Sequence, residues 1–266
     1  MTADYRMTTP RKSNSPFAWH GIDHLSISSI NQWISSPASY LYKIAGGFDE
    51  YGASAWRGSA LEVAFEKALF DKVSPNKLFT EIAYQEFDDR NEFDGDLIKI
   101  EKERKTIPEY INAGIEHFRN LPECTSYQRK IEVDFEEIEI PFIGYVDFEF
   151  GTLDNNHQIR DCKTSSKRIN EMTNAHARQL ALYGHAIGNE NTELWIDLIT
   201  RKETICMKLK NPKPHLEIIK KSALGLRKFL SLSNDTQELC KILIPDFDDW
   251  RWNSKKINEA KKIWEI

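Results

Sequence analysis

The chain lacks the features that would place it in several common classes. It has no apolar run near the roughly 20 residues that a membrane span needs, and its first twenty residues carry no apolar core of a secretion signal. An intracellular protein without a membrane partner is therefore expected. Its 4 cysteines, Cys124, Cys162, Cys206 and Cys240, lie far apart and form no CxxC pair. This spacing argues against a disulfide scaffold, a zinc finger or a four-cysteine cluster, and for reduced thiols. No glycine-rich loop of the form GxxxxGK[ST] is present, so the chain has no ATPase motor of its own. Positive charge is not in excess either: the formal net charge is −5 and the sequence pI about 5.9. Net charge thus gives no sign of a nucleic-acid partner, although only the local field over a groove matters for such binding.

What is present is the composition of a globular protein, 40% hydrophobic and 29% charged over 266 residues. Charge is unevenly placed. Residues 81–103 are dominated by Asp and Glu. Residues 201–228 carry Arg201, Lys202, Lys208, Lys210, Lys213, Lys220, Lys221, Arg227 and Lys228, which suit either a solvated helix face or a surface that tracks phosphates.

Residues 1–20 read as a flexible arm. After it, Ser26 or Ser28 is placed to cap a helix with Ile30, Trp33, Ile34 and Leu41 at helical spacing, which Pro37 should split in two. A helix over 55–71 would bury Leu61, Ala64, Phe65, Ala68 and Leu69, and the clearest helix before residue 121 is 107–118. Alternation at Ile131, Val133 and Phe135 indicates a strand, followed by strands over 139–150 and 157–163 around a turn at 151–156. A helix over 171–188 closed by Gly188, a hairpin of 193–200 with 203–209, and helices from 214 complete the order. We expect one domain over 21–266, with a helical lead (24–121), a sheet with an embedded helix (126–209) and C-terminal helices (213–266). The fold class is α/β, a central mixed sheet flanked by helices.

The chemistry centres on Gly144-x-x-Asp147 and Asp161-Cys162-Lys163. Strand side chains alternate, so Asp161 and Lys163 share a face while Cys162 points away. The turn at 151–156 brings Asp147 beside Asp161. Two adjacent carboxylates repel unless a hard cation neutralises them, and carboxylate oxygens with the Cys162 carbonyl are donors that suit Mg²⁺ or Mn²⁺. Lys163 then stands where an ammonium orients water or stabilises charge growing on a phosphate. Gln179 and Tyr183 share one helix face at i and i+4. Upstream, Gly58-x-x-x-Glu62 puts a carboxylate beside the apolar stripe, with Glu66 as its competitor. His24, His176 and His185 are further candidate metal or DNA contacts. The aromatic segment Phe247, Trp250 and Trp252 reads as packing in preference to base stacking.

Together with Leu25-Ser-Ile-Ser-Ser29 and Ser36-Pro37, these ordered motifs resemble the RecB/Cas4-type branch of the PD-(D/E)XK nucleases. The Lys163-Thr-Ser-Ser-Lys167 run and the helix around Gln179 and Tyr183 are most similar to mitochondrial genome-maintenance exonucleases and related phage and bacterial exonucleases. The resemblance covers residues 24–209. It implies a restriction-endonuclease-like fold and a Mg²⁺- or Mn²⁺-dependent deoxyribonuclease, an exonuclease acting on single strands or DNA ends in replication, recombination or repair; an endonuclease of the same fold, or a catalytically silent DNA-binding or recombination-partner module, is the alternative. It implies Glu62, Asp147, Asp161 and the Cys162 carbonyl as metal ligands and Lys163 as the catalytic lysine, with Gln179 and Tyr183 positioning that lysine and the DNA. Ser28, Ser29, Thr164, Ser165, Lys167 and Arg168 would lie along the DNA, and replication or recombination proteins are the expected protein partners. Two departures stand out. Many members carry His where this chain has Glu62. Members with an iron–sulfur cluster carry Cys where this chain has Ser36, and three more near the C-terminus, where this chain has only Cys240, so no cluster is expected.

Overall fold

The computed structural model describes residues 14–47, 52–90, 97–249 and 251–266. The helical lead comprises α1 (Pro16–Trp19), α2 (Ile27–Ser35), α3 (Pro37–Ile44), α4 (Ala53–Phe70), α5 (Asn76–Asp88) and α6 (Leu97–Asn120). Strands β1 (Cys124–Val133), β2 (Phe142–Thr152) and β3 (Asn155–Thr164) follow, then α7 (Asn174–Ile187), β4 (Glu193–Ile199) and β5 (Thr204–Lys208). Helices α8 (Lys213–Leu230), α9 (Thr236–Cys240) and α10 (Ser254–Trp264) end the chain.

The described residues fall into two compact units. One takes in 14–47, 131–144 and 214–266; the other takes in 52–130 and 145–213. In the first, Ser26 caps α2 through a capping box with Ser29, and Pro37 starts α3 where the sequence places the break. Residues 14–20 correct the expected flexible arm: Ser15 caps α1, Phe17 is fully buried, and the His20 ring bonds to Thr236 and to the carbonyls of Leu230 and Ser233. The apolar face of Phe17 outweighs the polar composition around it. The rest of that arm lies outside the described residues, as does Trp250. Trp252 is buried against Tyr42, Phe247 and Trp264, so it packs and offers no face to a base.

The second unit is built on the sheet, whose strand order is β1-β2-β3-β4-β5. Pairing is antiparallel between β2 and β3, parallel between β3 and β4, and antiparallel between β4 and β5, so the sheet is mixed, as expected. The parallel step needs a crossover, and α7 supplies it. Registers put Phe148, Arg160, Asp197 and Cys206 on one face, and Asp161, Lys163 and Ile196 on the other. On the first face, α4, α5 and α6 bury Leu61, Phe65, Phe87, Ile111 and Phe118 against Phe148, Phe150, Cys162 and Ile199. Phe65 stacks on Phe118 with ring centroids 4.5 Å apart. The β2–β3 turn is tighter than the expected 151–156 loop. Gly151 has φ +73°, and a Cβ there would lie 2.5 Å from the Asn156 carbonyl, so only glycine fits.

Candidate active site

The site is assembled from residues of α4, β1, β2, β3 and α7 that all belong to the second unit. Regular β2–β3 pairing ends at Phe148↔Arg160. One residue further along β2, the Asp147 side chain replaces the ladder: its Oδ2 accepts the Cys162 backbone N–H at 3.0 Å. Alternation along β3 then puts Asp161 and Lys163 on the Asp147 side and Cys162 in the helical core. The Lys163 ammonium pairs with Asp161 and lies 4.0 Å from Asp147 Oδ2 and 3.4 Å from the Cys162 carbonyl oxygen. From α7, Gln179 Nε2 donates to Asp161 Oδ1 and to the Tyr183 hydroxyl, both at 2.8 Å, so the i, i+4 pair acts as one brace.

Of the two α4 candidates, Glu62 joins this cluster; Glu66 lies 3.5 Å from the ammonium of Lys67 instead. What holds Glu62 is Gln128 of β1, a residue that sequence reasoning missed. Its Nε2 donates to Glu62 Oε1 and, at 3.3 Å, to Asp147 Oδ1, linking two carboxylates. Gln128 has φ 48°, a left-handed conformation unusual for a side-chain-bearing residue and one that gathers at functional sites. An isolated Gln ahead of the predicted strand carries no signal of this.

Burial raises the Asp147 carboxyl well above its ordinary value; Asp161 adds to this and Lys163 opposes it. Burial likewise raises Glu62, against the pull of Lys163 and with the push of Asp161. Burial would lower Lys163, yet Asp161 and Asp147 together raise it, so its ammonium is firmly charged. Three carboxylates thus face one ammonium, and two of them hold protons above the usual range because burial, with the neighbouring negative charge adding to it, disfavours their ionised forms. Hard anionic oxygens in excess are what a small divalent cation neutralises, so Glu62, Asp147, Asp161 and the Cys162 carbonyl fit Mg²⁺ or Mn²⁺. A cavity of about 360 Å³ opens on Glu62, Cys162 and Lys163 and is walled by Ser54, Ala55, Arg57, Gly58, Ser59 and Thr164.

Other predicted residues are placed less centrally. The Thr164 hydroxyl accepts from Arg57, itself paired with Glu103 and stacked 4.4 Å over the Tyr110 ring. Ser165 holds the following turn through Lys167, and Arg168 pairs with Glu203 at 2.5 Å. Ser28 is exposed at the start of α2, and the Ser29 hydroxyl is engaged in the capping box; both belong to the first unit. His176 lies one turn before Gln179, lowered by burial and by Lys163 and so neutral at pH 7. His185 is exposed in the last turn of α7, and His24 bonds Asp23 at 2.5 Å. Four of the nine residues of the expected basic stretch meet carboxylates: Arg201 meets Glu109, Lys208 meets Glu193, Lys220 meets Glu217 and Arg227 meets Glu139.

This geometry agrees with the family the sequence matches: the chain belongs to the PD-(D/E)XK nuclease superfamily, whose profile matches residues 24–251. Its helix-flanked mixed sheet is the restriction-endonuclease-like α/β architecture. Among solved structures, the chain is similar to a candidate exonuclease from Eubacterium rectale, at 12% identity and a TM-score of 0.49, covering 91% of this chain and 90% of that one. It is also similar to the protein SSO0001, at 16% identity and a TM-score of 0.32, covering 48% of this chain and 61% of that one. Both likenesses are distant. No curated protein matches the chain. Among the described residues, no helix is long and apolar enough to cross a membrane.

Proposed function

We propose that this chain is a metal-dependent deoxyribonuclease that works as an exonuclease on single strands or DNA ends. The observation that carries this is the buried cluster of Glu62, Asp147 and Asp161 around the Lys163 ammonium, opening into a cavity beside it. The two units form one nuclease domain in this reading, because the superfamily match runs through both. Glu62, Asp147, Asp161 and the Cys162 carbonyl would hold Mg²⁺ or Mn²⁺. When bound, such an ion supplies an acidified water and neutralises charge on the phosphate.

The chain's own groups do the rest. Gln179 fixes the Asp161 carboxylate through one amide hydrogen and engages Tyr183 through the other. Lys163, charged and pinned between two carboxylates, orients the attacking water and stabilises the oxygens of the phosphate. Attack in line with the departing 3′-oxygen leaves a 5′-phosphate and a 3′-hydroxyl. Thr164 and Ser165 extend from the site, with Lys167 and Arg168 as contacts to the strand backbone. We place the activity in replication, recombination or repair.

The test uses purified full-length protein with end-labelled linear and circular single-stranded DNA. Linear DNA should be degraded with Mg²⁺ or Mn²⁺ and spared with a chelator, and circles should survive. Circles cut as fast as linear DNA would make the enzyme an endonuclease. Inertness with every divalent ion would refute the nuclease reading altogether. Lys163→Ala should lower the rate by about 10²–10⁴-fold, and undiminished cleavage would refute the site.

A further inference from the structure

A second group of metal-ligating side chains converges in the same unit, on the opposite sheet face from Asp161 and Lys163. His117 in the last turn of α6, Asp197 on β4 and Cys206 on β5 each bring one ligand atom to within 4.8 Å of the others. The fold sets this up. Asp197 and Cys206 are direct cross-strand partners, so their side chains stand side by side on one face. The end of α6 lies on that face because Gly114 allows close approach; a Cβ there would be 3.2 Å from Ile199 Cγ2.

His117 Nε2 is 3.1 Å from Asp197 Oδ2, and Cys206 Sγ is 3.9 Å from both ring nitrogens. Two ligands on a tetrahedral zinc, with bonds of about 2.0–2.3 Å, stand about 3.3–3.6 Å apart. The observed separations bracket that value. Asp197 is 1% exposed, and its Oδ1 is already bonded to Arg160 at 2.7 Å, the kind of outer contact that orients a ligating carboxylate. Its Oδ2 is buried and faces the imidazole without an aligned hydrogen bond. An Arg160–Asp197–His117 ion-pair network accounts for the nitrogen partners. It does not account for an exposed thiol equidistant from both ring nitrogens.

We propose that His117, Asp197 and Cys206 form a Zn²⁺ site, with water in the fourth position, that fastens the end of α6 to β4 and β5. Thiolate sulfur, imidazole nitrogen and carboxylate oxygen are the mixed donor set that zinc accepts and Mg²⁺ does not. A thiolate and a carboxylate also balance its two charges. The exposed Cys206 gives an ion a way in. No sequence motif announces this site, because its ligands are single residues drawn from one helix and two strands.

The test adds Co²⁺ or Zn²⁺ to full-length protein in excess Mg²⁺, which keeps the acidic cluster occupied. One equivalent of Co²⁺ should give the near-ultraviolet absorption of a thiolate–cobalt bond, and one equivalent of Zn²⁺ should displace it and raise the melting temperature. Cys206→Ser, at an exposed position, should keep the fold, lose the sulfur band and weaken Zn²⁺ binding at least tenfold; His117→Gln should do the same. Both variants should cleave DNA with Mg²⁺ as the wild type does. Absence of the sulfur band, or Zn²⁺ binding by Cys206→Ser as tight as wild type, would overturn the proposal.

Discussion

Glu62 shows how one residue can weaken the resting fold while serving the site. It is held against Asp147 by the Gln128 amide, and burial with like charge raises its carboxyl above the ordinary value. A carboxyl with a raised folded pKa keeps its proton better when folded than when unfolded. Stability is therefore greatest below the ordinary value of 4.5 and falls as pH rises from there through the raised value. Glu62→Gln removes that cost while keeping an oxygen for Gln128. In metal-free protein above this window it should melt a few degrees higher than wild type, the effect of about 1 kcal/mol in a chain of this size. Its Mn²⁺ requirement for cleavage should rise at least tenfold. A variant less stable than wild type at pH 8 would show that Glu62 is not held at a cost in the resting fold, and an unchanged metal requirement would show that it is not a ligand. Alternation makes the pairing of Asp161 with Lys163 legible in the sequence, and the β2–β3 turn adds Asp147. From spacing alone Glu62 over Glu66 is not legible, since both sit near the apolar stripe; only the family resemblance singles it out. Neither was Gln128, whose role depends on a left-handed backbone in β1.

At the scale of elements, the β2–β3 hairpin, the α7 crossover and the paired β4 and β5 follow from local pattern and turn chemistry. The ends of elements are less legible. Helix α6 begins at Leu97, about ten residues before the apolar periodicity starts, and it contains Pro108. Its first turns are held by tertiary pairs that no local window contains: Arg104 with Asp88, and Glu103 with Arg57. Two glycines give opposite expectations on this basis. A Cβ at Gly114 would sit 2.6 Å from Phe65 Cζ, whose ring is fixed in its stack on Phe118, so Gly114→Ala should destabilise by about 1–3 kcal/mol. A Cβ at Gly225 in α8 meets nothing within 4 Å, and alanine there should stabilise by up to about 1 kcal/mol. Chemical denaturation of the two variants checks both signs.

At the scale of the whole molecule, net charge is where composition says least about the proposed substrate. The chain carries −5, and several cations near the site or in the basic stretch are matched by acids, among them Arg168 with Glu203 and Arg201 with Glu109. Exposed pairs of this kind contribute little to stability, but each cancels a cation that could otherwise displace counterions from DNA. Binding would then rest on the metal-filled acidic site and a few phosphate contacts. At saturating Mn²⁺, affinity for single-stranded DNA should fall with salt on a log–log slope no steeper than about −3, since each contact on a single strand adds about −0.7. A slope of −6 would reveal a long phosphate track and refute this account. Glu203→Lys tests it from the other side. It frees Arg168 and reverses a charge beside the turn that follows Lys163, so binding at low salt should tighten several-fold and the slope should steepen by about 1. An unchanged slope would mean that DNA does not pass Arg168.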